Sequence, residues 1–180
     1  MRLLLVLLLL LASPQSARTT TPVGSQPPRI EIEEPAAPAA VVAVWVPTYT
    51  LTAIERETIA TCLILEAASQ GDFGMRGVMS VIRNRSRHLP ELFVLTVLRP
   101  KQFSALNEVT AGRKKLPDTI QRAARDRMWT VALQIVDEAC RSTWHDSTHG
   151  ATHYTRSSER IYWTRGLART VTIGAHAFYR

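Results

Sequence analysis

Glu66 stands out first, because it falls among Ile54, Ile59, Cys62, Leu63 and Leu65 when residues 52–69 are wound at about 100° per residue. A carboxylate on an apolar stripe loses hydration, which raises its pKa and makes it a general acid near neutral pH. Cleavage of a glycosidic bond requires such an acid to protonate the departing oxygen. A Glu at the margin of the stripe, or paired with a neighbouring arginine, is the alternative without chemistry. Most glycosidases use two carboxylates, and a second one is hard to find here. Position 70 is Gln, Asp72 is placed to cap a helix, and Glu55, Glu57 and Asp118 sit at helix starts where they favour the helix dipole. This scarcity points to a mechanism with one carboxylate, in which the sugar's own N-acetyl or 6-hydroxyl group assists.

A second constellation is His145, His149 and His153 with Asp146 beside them. A spacing of four residues could present metal ligands on one side of a helix, which would suit a zinc amidase or endopeptidase. Gly150 and the residues around Ser147-Thr148 interrupt that helical spacing, and no His-Glu-x-x-His sequence occurs. No metal site is therefore expected. A Gly-x-Ser-x-Gly elbow is also lacking, so Ser-His-Asp catalysis has no support. Late in the chain Tyr154, Tyr162, Trp163 and Tyr179 offer flat apolar faces with polar tips that suit a sugar or a core. Arg156, Arg160, Arg165 and Arg169 surround them and suit glycan carboxylates or a solvated basic face.

The elements that must position these groups can be read from caps and periodicity. Thr52 and Glu55 form a capping box, which starts a helix running to Ser69. Gly71 ends it, and Asp72 is placed to cap a second helix through Val78, Met79, Val81 and Ile82 to the basic cluster Arg83, Arg85 and Arg87. A short helix follows Pro90 and stops before Pro100. Pro117 opens the longest expected helix, over 117–141, with Ile120, Ala124, Met128 or Trp129, Leu133, Val136 and Ala139 inward. After Gly150 the pattern turns to short β-favouring runs around Tyr154, Ile161-Tyr162-Trp163, Val171-Thr172-Ile173 and Phe178-Tyr179. The class is α+β: mainly helical, with a small C-terminal antiparallel sheet or hairpin.

At 180 residues the chain can hold one good core and appendages. Met1-Arg2 followed by the apolar run 3–11 and a small-residue zone has the layout of a secretory signal over 1–17. That run is shorter than the roughly 20 apolar residues of a membrane span, so none is expected in the mature form. Residues 18–49, rich in Pro, Thr and Ala, are expected to be an extended tether, and 50–180 the folded domain. Twenty-two Lys and Arg against 15 Asp and Glu give +7, which favours a polyanionic partner. Export places the protein in the periplasm or outside the cell and makes nucleic acid the least suitable polyanion. Cys62 and Cys140 could form a disulfide in an oxidising compartment or remain two buried thiols.

Five segments carry a more specific signal: Leu65-Glu66-Ala67, Gly77-Val78-Met79-Ser80-Val81-Ile82-Arg83-Asn84-Arg85, Pro100-Lys101-Gln102-Phe103-Ser104, Ala151-Thr152-His153-Tyr154 and Ile173-Gly174-Ala175-His176-Ala177-Phe178-Tyr179. In this order and spacing the set resembles the SleB-type cell wall hydrolases, the family of spore cortex-lytic enzymes and their relatives. The resemblance implies a lysozyme-like fold with a glycan groove, lytic transglycosylase activity on peptidoglycan, Glu66 as the catalytic residue and no cofactor. It further implies Gln102, Ser104, Thr152, His153 and Tyr154 as substrate-binding residues, to which Tyr162 is added as an aromatic, and a structural role for Asn84 and Arg85. A monomer with peptidoglycan as its partner is expected. Two positions depart from the family pattern. The usual Glu-Ala-Arg-Gly-Glu reads Glu66-Ala67-Ala68-Ser69-Gln70, and Thr155-Arg156 stands where Asn-Pro commonly follows the His-Tyr pair. An inactive wall-binding protein of the same fold is therefore the competing reading.

Overall fold

The computed structural model describes residues 49–159 and 161–180. The expected signal, and the expected tether up to residue 48, lie outside the described residues. The domain opens with α1, Ala53–Ala67, whose capping box forms as the sequence predicts: Glu55 N–H donates to Thr52 Oγ1 at 3.4 Å and Thr52 N–H to Glu55 Oε2 at 2.8 Å. The helix is not a surface helix with a single stripe. Thr58 to Ile64 and Ala67 are all buried, and α1 is flanked by α2 (Gly71–Arg85), α3 (Phe93–Val97), α5 (Leu116–Ala123) and α6 (Trp129–Ala139). A helix buried on most sides has apolar residues all round. Ile54 and Leu65, expected inward, are therefore free to be 52% and 36% exposed at its two ends. The buried hydroxyls of Thr58 and Thr61 donate to the carbonyls of Ile54 and Glu57, so no polar group is stranded inside.

Between α1 and α2 the chain passes through a 3-10 turn, Ala68–Gln70, and Gly71 at φ +68°. Asp72, expected as a cap, lies inside the first turn of α2. Gln70 holds the cap position without a side-chain bond, and the Asp72 carboxylate accepts from Arg76 one turn on. That carboxylate still sits at the positive end of the helix dipole. The helix expected over 117–141 is in fact two, α5 and α6. Asp126 breaks it: its Oδ1 accepts from Met128 N–H at 2.8 Å and its carbonyl accepts from Trp129 N–H. A short acidic side chain that takes the backbone donors ahead of it competes with helical bonding. The break also re-phases the stripe. Ile120, Val136 and Ala139 are buried as expected, whereas Ala124 is exposed and Ala123, Ala132 and Ile135 are buried instead. Between α3 and α5 lie a 3-10 turn, Ser104–Leu106, and the single-turn α4, Asn107–Thr110.

The C-terminal third forms a three-stranded antiparallel sheet from β1 (His153–Arg156), β2 (Arg169–Ile173) and β3 (His176–Tyr179), in the order β1-β3-β2. The central β3 carries the buried residues His176, Ala177 and Phe178, and Tyr154 and Val171 flank Phe178 in register. Ile161-Tyr162-Trp163 is not a strand. Thr164 donates through both N–H and Oγ1 to the Ile161 carbonyl, which folds the segment into a 3-10 helix, Tyr162–Gly166. The sheet meets the helices at Gly77 of α2, where a Cβ would lie 2.7 Å from Phe178 Cζ. Cys62 and Cys140 are free thiols. Burial pushes the Cys62 thiol well up and Cys140 to about 11, so neither is primed as a nucleophile. The observed class is the expected α+β, helices first and a small antiparallel sheet last.

Candidate active site

Glu66 lies in the last turn of α1, on the rim of the core and partly exposed. It is not enclosed by apolar groups, as the helical wheel implied. Two segments converge on its carboxylate. From the turn Ser104–Leu106, Ser104 Oγ donates to Oε1 at 3.1 Å and Ala105 N–H donates to the same oxygen at 2.8 Å. From β1, the Tyr154 hydroxyl donates to Oε2 at 3.0 Å. Phe103 and Leu106 are sunk in the core on either side of Ser104-Ala105, which holds that backbone N–H against Glu66. Burial, with the nearby Glu66 charge, pushes the Tyr154 phenol well above its usual range, so it stays a neutral donor.

The end of α2 connects these segments. Arg85 Nε donates to the Thr152 carbonyl at 2.7 Å, Nη1 donates to the Gln102 carbonyl at 3.0 Å, and the guanidinium lies 5.0 Å from the Phe103 ring centroid. Asn84 Nδ2 donates to Asp146 Oδ2 and to the Ala151 carbonyl. Asp146 in turn accepts from Thr148 and Gly150. Burial works against its charge, yet these bonds outweigh it and hold the Asp146 carboxyl down at about 2.

A cleft of about 510 Å³ opens over Glu66, between Gln70, Tyr154, Arg156, Glu159 and His176. A larger cavity, about 1100 Å³, opens on Leu51, Arg83, His88 and Arg141 and includes none of the groups around Glu66. His176 is 7% exposed, meets the Tyr154 ring edge-on at 5.2 Å, and has its Nδ1 buried without a partner. Burial pushes its imidazole down, against the upward pull of Glu66 and Glu159. A buried lone pair is less costly than a buried N–H without an acceptor, so the neutral ring carries its proton on Nε2. Gln70 Oε1 accepts from Ala175 N–H at 2.7 Å and thereby fastens the β2–β3 turn to the cleft wall. Gly174 in that turn has φ +56°, and a Cβ there would collide with Gln70 Oε1.

Of the residues expected at the site, Glu66, Ser104 and Tyr154 come together. Gln102 and Thr152 contribute carbonyls to Arg85, and the Thr152 hydroxyl pairs with His153 Nδ1 at 2.9 Å. The His153 ring packs on Trp163 at 5.6 Å. Tyr162 is 81% exposed, and of the expected residues Glu66 and Tyr154 line the cleft whereas Gln102, Ser104, Thr152, His153 and Tyr162 do not. The histidine spacing at 145, 149 and 153 does not converge, and among the described residues no cluster of three potential ligands occurs. Sequence reading missed Ala105, whose donor is a backbone N–H without a side-chain signature. It also missed Glu159, which is distant in the chain and accepts from Thr155 Oγ1 at 3.0 Å. His176 stood in a quoted segment but was not singled out there.

The family model described as Cell Wall Hydrolase matches residues 69–179, more than half of the chain. The chain belongs to the cell wall hydrolase family. The match begins just after Glu66, so the position of that residue rests on the geometry above. Among solved structures the fold is similar to the catalytic domain of the Bacillus cereus SleB protein, with 20% identity and a TM-score of 0.51 over 75% of this chain and 95% of that one. It is equally similar to the catalytic domain of the germination-specific lytic transglycosylase SleB from Bacillus anthracis. There the identity is 21% and the TM-score 0.50, over 75% of this chain and 100% of that one. No curated protein matches. As a cell wall hydrolase the protein is a peptidoglycan-cleaving enzyme. No helix of the described residues is long and apolar enough to cross a membrane.

Proposed function

We propose that this cell wall hydrolase is an exported, monomeric lytic transglycosylase in which Glu66 acts as both acid and base. Glu66 in its protonated form gives its proton to the oxygen linking N-acetylmuramic acid to N-acetylglucosamine, and the bond from muramic C1 to that oxygen breaks. The carboxylate left behind takes the proton of the muramic 6-hydroxyl as O6 bonds to C1. The product is a 1,6-anhydromuramic end, and no water is consumed. The observation that carries this reading is that the Glu66 carboxylate at the cleft has donors on both oxygens: Ser104 and Ala105 on one, Tyr154 on the other. Donors placed in advance stabilise the charge that forms on Glu66 when its proton leaves. The description of the Bacillus anthracis relative as a lytic transglycosylase supports the reaction type. Residues 1–17 serve as the signal, 18–49 as a tether to the domain, and the mutually packed His153, Trp163 and Tyr179 rings, outside the lining of the Glu66 cleft, as a further sugar contact.

The test is digestion of purified sacculi by the full chain, wild type beside Glu66→Gln, with released fragments identified by mass spectrometry. Anhydro-muropeptides from the wild type and none from the variant are expected. Sacculus binding without release from the wild type would instead indicate a wall-binding protein. A second reading is favoured by Glu159, a further carboxylate on the same cleft. If it deprotonates a water that attacks C1, the enzyme is a hydrolytic muramidase, and reducing muramic ends that carry oxygen from labelled water decide for it.

A further inference from the structure

We infer that Arg85 is the positioning residue of this site, locking together the two chain segments that hold the Glu66 carboxylate. The inference rests on Glu66 being the catalytic group. All three donors to Glu66 come from residues 104, 105 and 154, and Arg85 grips each of those segments two residues upstream of its first donor. One arm of the guanidinium donates to the Gln102 carbonyl at 3.0 Å, ahead of Ser104-Ala105. The other donates to the Thr152 carbonyl at 2.7 Å, ahead of Tyr154. Its flat face covers Phe103, whose ring lies 6.5 Å from that of Tyr154. Ser104 is 38 residues and Tyr154 88 residues from Glu66 in sequence, and the strand and turn that carry them share no ladder. Arg85 therefore links by hydrogen bonds, at the reacting carboxylate, a turn and a strand that are far apart in sequence and share no backbone ladder.

The chemistry suits a guanidinium. Among the described residues no carboxylate lies within ion-pair distance of Arg85, so its half-buried charge is not there to form a salt bridge. A planar fork with fixed donor directions can hold two carbonyls and stack on an aromatic ring at once. A lysine ammonium, a point charge on a flexible stem, cannot reproduce that geometry. The charge also lies close enough to Glu66 and Tyr154 to interact with both electrostatically.

The experiment uses the full chain with Arg85→Met and Arg85→Lys, each alone and combined with Tyr154→Phe, and Glu66→Gln as the reference. Sacculus turnover, sacculus binding and thermal unfolding are measured for each. Arg85→Met is expected to lower turnover about a hundredfold, the effect of displacing catalytic groups by about an ångström, with binding to sacculi unchanged. Arg85→Lys should recover only part of that loss. In the Tyr154→Phe background either Arg85 change should cost less than it does alone, because both act on the same hydrogen bond to Glu66. Full rescue by Lys, multiplicative losses in the double variants, or losses equal to the unfolded fraction would each overturn the inference. Should Arg85→Met not fold, the Lys variant and its double variant decide by the same criteria. Wild-type turnover by Glu66→Gln would instead remove the catalytic reading on which the inference stands, and that outcome is read independently of Arg85.

Discussion

At the level of single residues, the two oxygens of Glu66 are not equally protected. Oε1 has two donors, one of them the Ala105 backbone, whereas Oε2 has the Tyr154 hydroxyl alone. Hydrogen bonds to a charged group contribute about 1.5–3 kcal/mol, which corresponds to roughly ten- to a hundredfold in rate when the charge forms at the transition state. Tyr154→Phe should therefore lower the release of muropeptides by that factor at saturating sacculi. Ser104→Ala should cost only a few-fold, since Ala105 N–H remains. Equal losses in the two variants would mean that the backbone donor is not engaged during turnover. Glu66 and Tyr154 were both legible from their residue types and flanking motifs. Ala105 was not, because a backbone N–H is the same in every residue but proline and gains its role from where the turn directs it.

Among the elements, the contact between α2 and the sheet is the one that sets Tyr154 in place. Gly77 lets Phe178 approach the helix backbone, and the Phe178 ring lies 5.7 Å from that of Tyr154. Phe178 is fully buried, so a methyl at position 77 must displace it. Gly77→Ala should cost about 1–3 kcal/mol of stability by overpacking and reduce turnover per folded molecule through Tyr154. Melting and activity measured on one preparation check both parts, and an unchanged melting temperature would contradict the close approach. The elements themselves were unevenly readable. The capping box fixed the start of α1 because the signal lies within four consecutive residues. The α5–α6 break was not foreseen, because Asp126 is as acceptable on an exposed helix face as in a turn. Only the packing of α6 on α1 and α2 selects the turn.

For the whole molecule, titration sets the acid limit of stability. His153 and His176 have imidazoles pushed below their usual range by burial, so the unfolded chain binds protons more readily than the folded one. Their contribution is complete above the usual histidine value of about 6.5 and declines as the pH falls below it. Asp146, held at about 2, adds stability that is complete above the ordinary carboxylate value of about 4 and is lost as the pH falls towards 2. Urea unfolding at a series of pH values should show both declines. Asp146→Asn should destabilise the fold by about 1–3 kcal/mol near neutral pH and flatten the lower decline, and an unaltered slope would remove Asp146 from that role. The net charge of +7 acts at the same scale. Sacculus binding should weaken as salt is raised from about 0.05 to 0.5 M, because exposed charges are screened, and salt-independent binding would assign recognition to the cleft alone.

The sequence by itself determined what depends on neighbours along the chain. This includes the α1 cap, the helices ahead of a late sheet, Glu66 with the ordered segments around it, and the excess of basic charge. Tertiary structure alone decided what depends on distant parts meeting. It set Glu66 on the rim, turned Gln70 from a missing acid into the fastening of the β2–β3 turn, placed Glu159 and His176 at the cleft, and joined residues 102 and 152 through Arg85. The physical reason is that periodicity and caps are short-range, whereas a carboxylate's partners are fixed by how a buried helix, a core-anchored turn and a sheet pack against one another.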